Sequence, residues 1–151
     1  MELKFILNGK KTACSISPDT TLLELLRSLG CYSVRSGCDT ENCGICTVWV
    51  DGAPILSCSY PAAKAEGRSV TTVEGVIDEA NELVSFMANE GADQCGYCSP
   101  GFIMTVLALK RENPHPTADE IKQYLAGNLC RCTGYASHMR MLTSYFEEAA
   151  E

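Results

Sequence analysis

Long apolar runs are missing from this 151-residue sequence. The stretch from Phe102 to Leu109, broken by Thr105, falls far below the roughly 20 residues that cross a bilayer, so no membrane association is expected. At the amino terminus Phe5-Ile6-Leu7 is cut short by Asn8-Gly9-Lys10-Lys11, without the apolar run of about 7–15 residues that marks a secretory signal. These absences lead us to expect a soluble, cytoplasmic protein. Positive charge is also scarce, with 12 Lys and Arg against 19 Asp and Glu and a net charge of −7. A nucleic-acid partner would favour a basic face to displace counterions from phosphates, so none is expected, and other proteins are the expected partners. There are two histidines, His115 in a Pro-His-Pro loop and His138 near the start of the last helix. Neither falls in a cysteine motif, which disfavours a Rieske-type centre and leaves both as expected surface residues. No phosphate-cradling loop or Ser-His-Asp arrangement is recognisable, so no catalytic residue is expected on this chain.

What the chain has in quantity is cysteine, ten residues, several times ordinary usage but below the density of a small secreted disulfide scaffold. Where thiols are kept reduced, clustered cysteines point to metal or redox chemistry.

The predicted elements divide the chain, giving an α+β fold class. Glu2 to Leu7 and Thr12 to Ile16 read as strands joined through Asn8-Gly9, a dipeptide suited to a tight hairpin. Thr21 and Glu24 form a capping-box signature ahead of Leu22, Leu25, Leu26 and Leu29, an expected core stripe closed by Gly30. A glycine- and cysteine-rich loop follows, then strands at Thr47 to Val50, Pro54 to Ser57 and Ser69 to Val73. Beyond about residue 75 the periodicity turns helical. Helices are expected at Glu79 to Glu90, Gly101 to Arg111, Ala118 to Ala126 (behind a second capping box, Thr117 and Glu120) and Ala136 to Ala149. The expected domains are thus 1–75, mixed α and β, and 76–151, a four-helix bundle.

Eight cysteines form two sets. Cys38, Cys43, Cys46 and Cys58 follow the pattern C-x4-C-x2-C with eleven residues before the last. That is the plant-type [2Fe–2S] spacing, in which one loop wraps three thiolates and a distant segment supplies the fourth. Gly37 and Gly44 would let backbone N–H groups approach the sulfurs, and Arg35 is the expected cationic neighbour. The second set is Cys95-x-x-Cys98 and Cys130-x-Cys132, separated by 31 residues, each pair just ahead of a predicted helix start. Helix N-termini favour thiolates and anionic clusters. Taken alone, this second pattern suits zinc as well as iron, and a zinc-binding interaction module is the alternative reading. Cys14 and Cys31 stand outside both sets and are expected to pack as small hydrophobes. Tyr97, Tyr135 and Trp49 read as packing residues before they read as cluster shields.

The segments SGCDTENCGICTV (36–48), QCGYCSPGFIM (94–104) and GNLCRCTGY (127–135) resemble the iron–sulfur subunit of the molybdenum hydroxylases. Xanthine dehydrogenase, aldehyde oxidoreductase, nicotinate dehydrogenase and the molybdenum-type carbon monoxide dehydrogenase are members. TVEGV at 72–76 resembles the family's interdomain linker. The resemblance implies a β-grasp, plant-type ferredoxin domain with one [2Fe–2S] cluster, then a four-helix domain with a second. It implies an electron-transfer subunit, relaying single electrons from a large molybdopterin subunit to a medium FAD subunit, with purine or xanthine oxidation the leading activity for the complex. It further implies that Cys38, Cys43, Cys46 and Cys58 hold the cluster nearer FAD, that Cys95, Cys98, Cys130 and Cys132 hold the one nearer molybdenum, and that Gln94 and Cys132 approach the pterin. One position departs: relatives usually have glycine before the second cysteine of the loop, and this chain has Asn42, a residue tolerant of left-handed backbone.

Overall fold

The computed structural model describes residues 1–148. Strands β1 (Glu2–Leu7) and β2 (Lys10–Ser15) pair antiparallel from Glu2 opposite Ser15 to Leu7 opposite Lys10. Asn8 and Gly9 sit between them at φ 49° and 79°, the left-handed pair whose twist matches that of the strands. Helix α1 (Leu22–Ser28) starts on the expected capping box: Thr21 Oγ1 accepts the Glu24 N–H, and the Glu24 carboxylate accepts the Thr21 N–H. Leu22, Leu25 and Leu26 are buried under it. Leu29 is a correction to the expected core stripe, being 37% exposed, because α1 ends at Ser28 and Leu29, its C-cap, has left the helical backbone that aligns Leu22, Leu25 and Leu26.

Strands β3 (Thr47–Val50) and β4 (Ala53–Leu56) pair antiparallel around Asp51-Gly52, and β5 (Ser69–Thr71) runs parallel to β1 and antiparallel to β3. The sheet order is β2-β1-β5-β3-β4. This mixed sheet with a helix across it is the β-grasp arrangement expected. Its core gathers Leu3, Phe5, Leu26, Val48, Val50 and Val70.

A 3₁₀ turn over Val73–Gly75 leads into four helices: α2 (Ile77–Asn89), α3 (Ser99–Glu112), α4 (Ala118–Tyr124) and α5 (Ala136–Glu148). Residue 149, the expected end of the last helix, lies outside the described residues. Helix α3 begins two residues earlier than expected, since Pro100 fits the first turn, where its missing N–H costs no hydrogen bond. Every residue from Gly101 to Leu109 is buried, so α3 is the central helix, covered on all sides. One of the elements covering it is the sheet. Trp49 of β3 belongs to the helical core: its indole N–H donates to the Met104 carbonyl at 2.9 Å, and the Arg111 guanidinium lies 4.0 Å from its ring centroid. Among the described residues no helix is long and apolar enough to cross a membrane.

Candidate metal centres

The loop between α1 and β3 carries three thiols of the first set, and Cys58 follows β4. Its backbone turns left-handed at Glu41 (φ 58°) and Gly44 (φ 72°). The left-handed position therefore falls on Glu41, one residue before Asn42. Asn42 instead supplies its N–H to Cys38, and its side-chain oxygen accepts from the Thr40 hydroxyl at 3.0 Å. Backbone N–H groups of Asn42, Cys43 and Thr40 converge on the Cys38 sulfur and lower its pKa to about 6. The Thr47 and Ser57 hydroxyls donate to the Gly44 and Cys46 carbonyls, both at 2.7 Å and both buried, which ties the loop down from its inner side. Cys43 and Cys46 are buried while Cys38 and Cys58 are half-buried. The Cys38 thiol meets that of Cys43, and Cys58 meets Cys46. Burial, and then this contact with Cys46, pushes Cys58 up to about 12. At Gly37 an added Cβ would lie 3.3 Å from the Cys43 sulfur and would strike the Ile45 side chain.

In the second set Cys98 caps α3, and Cys130 and Cys132 lie in the loop ahead of α5. Cys95 and Cys132 approach to 3.6 Å between sulfurs, and Cys98 meets Cys130. The outer couple is exposed, the inner couple half-buried. Burial raises Cys98 to about 12, with the neighbouring Cys130 adding to it. Burial acts upward on Cys130 too, but the Thr133 hydroxyl at 3.3 Å and the Thr133 and Cys132 N–H groups outweigh it and lower this thiol. The Tyr97 N–H points at Cys95 from 3.5 Å. These N–H and hydroxyl donors aimed at sulfur suit a bound anion.

In both sets the thiols meet two by two. Among the described residues no three His, Cys, Asp or Glu side chains converge on a single-ion position. A structural zinc draws four ligands to one point, whereas a binuclear cluster takes two on each iron. The donor type, the two-plus-two pairing and the donors aimed at sulfur fit [2Fe–2S] clusters in both places.

The two sets are close neighbours. A narrow gap between them is lined by Cys43, Ile45, Cys98, Leu129, Cys130 and His138. The Leu129 N–H donates to the Cys43 carbonyl at 2.8 Å, and the Asn128 amide donates to the Gly44 carbonyl at 3.2 Å. Glycine makes this approach possible: at Gly101 a Cβ would lie 2.5 Å from the Gly44 and Ile45 carbonyl oxygens.

Several expectations change. Arg35 does not serve as the thiolates' cation in the way anticipated; its guanidinium donates to the Gly96 and Tyr97 carbonyls of the second set's loop. His138 is buried, 4% exposed, and stacks on Phe102 at 4.5 Å, because it shares a helix face with Met141, Leu142 and Tyr145. His115 is exposed as expected. Cys31 is buried, but Cys14 is only half-buried. Trp49 packs fully, whereas Tyr97 and Tyr135 are exposed at 47% and 42%. Gln94 is exposed beside Cys95. The bridging roles of Asn128 and Leu129 leave no mark in local sequence, since their partners lie more than 80 residues away.

Comparison with known proteins agrees with this geometry. Residues 5–71 match the 2Fe-2S iron-sulfur cluster binding domain family, and residues 72–142 match the [2Fe-2S] binding domain family. The chain is 48% identical over 134 residues to the xanthine dehydrogenase iron-sulfur-binding subunit of Escherichia coli O157:H7, covering 85% of this chain and 84% of the relative. It is 43% identical over 132 residues to the nicotinate dehydrogenase small FeS subunit of Eubacterium barkeri, with coverage of 85% and 84%. The crystal structure of quinoline 2-oxidoreductase from Pseudomonas putida 86 contains a similar chain, at TM-score 0.91 and 37% identity, covering 99% of this chain and 96% of that one. With two cluster-binding domains in this order and relatives matched along most of their length, the chain belongs to the family of iron–sulfur small subunits of molybdenum hydroxylases of the xanthine dehydrogenase and aldehyde oxidoreductase type.

Proposed function

We propose that this chain carries single electrons from a molybdopterin subunit to an FAD subunit, with Cys95, Cys98, Cys130 and Cys132 holding the centre at which they would enter and Cys38, Cys43, Cys46 and Cys58 the centre from which they would leave. When bound, a [2Fe–2S] cluster in each set supplies a one-electron centre. The residues of the chain hold the iron as thiolates, set its potential through N–H and hydroxyl donors, and exclude water from its inner side. The observation that carries the reading is the bond from the Leu129 N–H to the Cys43 carbonyl: Leu129 precedes Cys130, so a single hydrogen bond joins a ligand residue of one set to the neighbour of a ligand in the other. The opposite ends are open. The exposed couple Cys95 and Cys132, with Gln94 beside it, would face the pterin, and the exposed 39–42 loop beside Cys38 would face the flavin.

The division at 1–75 and 76–151 follows from this reading, one centre to each part. No side chain on this chain converts substrate; catalysis belongs to the assembly, in the cytoplasm. Xanthine or purine oxidation is the proposed activity, supported by the 48% identity to a xanthine dehydrogenase subunit. Nicotinate, aldehyde and carbon monoxide oxidation are the alternatives, the first supported by the 43% identity. Identifying the chains that co-purify from native cells, and assaying that complex with xanthine and nicotinate, decides among them.

The ligand assignment is tested by electron paramagnetic resonance of the reduced complex. Two rhombic signals are expected, with Cys43→Ser removing or altering one and Cys98→Ser the other. Loss of neither signal would sink the assignment. A colourless preparation containing zinc, without iron and sulfide, would establish the zinc-module reading instead.

A further inference from the structure

Two surface loops, one from each cysteine set, are bound to each other by a reciprocal exchange between Arg35 and Tyr97. Arg35 Nη1 donates to the Gly96 carbonyl at 2.8 Å and to the Tyr97 carbonyl at 3.1 Å. The Tyr97 hydroxyl donates back to the Ser36 carbonyl at 2.8 Å. The guanidinium carbon lies 5.2 Å from the Tyr97 ring centroid, so the stack closes the same pair a fourth time. Every one of these contacts lands close to a thiol. Arg35 and Ser36 lie three and two residues before Cys38, and Gly96 and Tyr97 fill the interval between Cys95 and Cys98. A planar guanidinium suits the task, because its fork reaches two carbonyls while its face remains available to a ring; a lysine ammonium offers no such face.

The position of this strap argues for a role beyond holding the protein folded. Its aromatic ring is 47% exposed, and partly solvated polar contacts of this kind contribute little to stability. The burial that joins the two halves is elsewhere, at Trp49 and α3. The strap and the Leu129–Cys43 bond thus hold the cysteine loops together at separate points, one through side chains and one through backbone alone. Electron transfer between fixed centres falls steeply with their separation, so loops free to drift would slow it even in a stably folded chain.

We propose that Arg35 and Tyr97 are positioning residues that fix the separation and relative orientation of the two cysteine sets. This rests on the two-centre relay reading above. The test uses the full chain in its complex, with both centres loaded, and compares wild type with Tyr97→Phe, Arg35→Gln and Arg35→Lys. Tyr97→Phe removes only the hydroxyl and keeps the ring; Arg35→Gln removes both the fork and the stacked charge. Two readouts are taken: the magnetic splitting between the two signals in the fully reduced protein, and the rate at which one electron equilibrates between the centres after rapid partial reduction. The expected result is a changed splitting and a several-fold slower equilibration in Arg35→Gln, a smaller change of the same kind in Tyr97→Phe, and partial recovery in Arg35→Lys. Wild-type splitting and wild-type rate in both Arg35→Gln and Tyr97→Phe overturn the proposal, whatever happens to the unfolding midpoint. Should Arg35→Gln fail to assemble, Tyr97→Phe alone decides on the same two readouts. A wild-type protein without two signals would instead defeat the relay reading, so the two failures are distinct.

Discussion

His138 shows how much a single side chain can hide in plain sequence. It stands at positions i−3, i−4 and i−7 to Met141, Leu142 and Tyr145, so the helical spacing that marks the core face of α5 includes it. Polarity alone places it at the surface; spacing places it inside, and spacing prevails. Burial holds the imidazole below the ordinary value of 6.5, partly offset by its bond to the Ala92 backbone. With a depressed folded-state pKa, the unfolded chain binds the proton more readily, so stability rises with pH. The contribution is complete above the unfolded value and is lost as pH falls through about 6.5 toward the folded value. Urea unfolding of the cluster-loaded protein at pH 7.5 and pH 5.5 should therefore show a fall in midpoint that His138→Gln reduces. Equal falls in both proteins would assign the acid sensitivity to other groups. The gathering of eight cysteines into two groups, by contrast, was legible, because it is written as spacing. Their pairing two by two was not, since Cys95 and Cys132 meet only after two loops 37 residues apart are brought together by the fold.

Among the elements, the most readable features are those completed within four residues. Both capping boxes form as expected; at α4, Thr117 Oγ1 accepts the Glu120 N–H and the Glu120 carboxylate accepts the Thr117 N–H. Thr117→Ala should cost about 1 kcal/mol, measurable by chemical denaturation. Helix α3 was legible as a helix, expected from Gly101 to Arg111 and found at Ser99–Glu112; its burial on every side was not, because no local pattern names the sheet as one of its neighbours. What its sequence does contain is Gly101, and the fold explains it. A Cβ there would lie 2.5 Å from the Gly44 and Ile45 carbonyl oxygens of the first cysteine loop, and backbone cannot swing aside as a flexible side chain can. Gly101→Ala improves helix propensity by about 1 kcal/mol, yet the forced separation, at about 1–3 kcal/mol, should outweigh it and leave a net loss of up to about 2 kcal/mol. The same variant should disturb the magnetic interaction between the centres, because the displaced segment contains Cys43 and Cys46. A variant of wild-type stability and spectrum would show that the loop yields without moving its thiols.

For the chain taken whole, two domains were legible and their union was not. Composition changes from strand-like to helical near residue 75, which suggests parts that fold independently. The structure joins them through Trp49, a residue of the β-grasp sheet whose side chain is 1% exposed inside the helical core. The linker is also fastened: Asn8 at the hairpin tip accepts from the Thr72 N–H at 2.9 Å and donates to its hydroxyl at 3.0 Å, and Glu74 accepts from Ser33. Local sequence could not show this, because each contact joins positions 41 to 64 residues apart. The consequence is cooperative unfolding. Trp49 is the only tryptophan, so its fluorescence reports on the seam between sheet and helices, while far-ultraviolet circular dichroism reports mainly on α2 to α5. In denaturant titrations of the loaded protein the two transitions should coincide at one midpoint. Trp49→Phe removes the donor to the Met104 carbonyl and shrinks the ring under Arg111, leaving space in the seam; a loss of about 1–3 kcal/mol is expected. If fluorescence instead changes at lower denaturant than the helical signal, the seam opens before the helices melt. The fixed separation of the two centres would then be a property of the assembled complex and not of this chain alone.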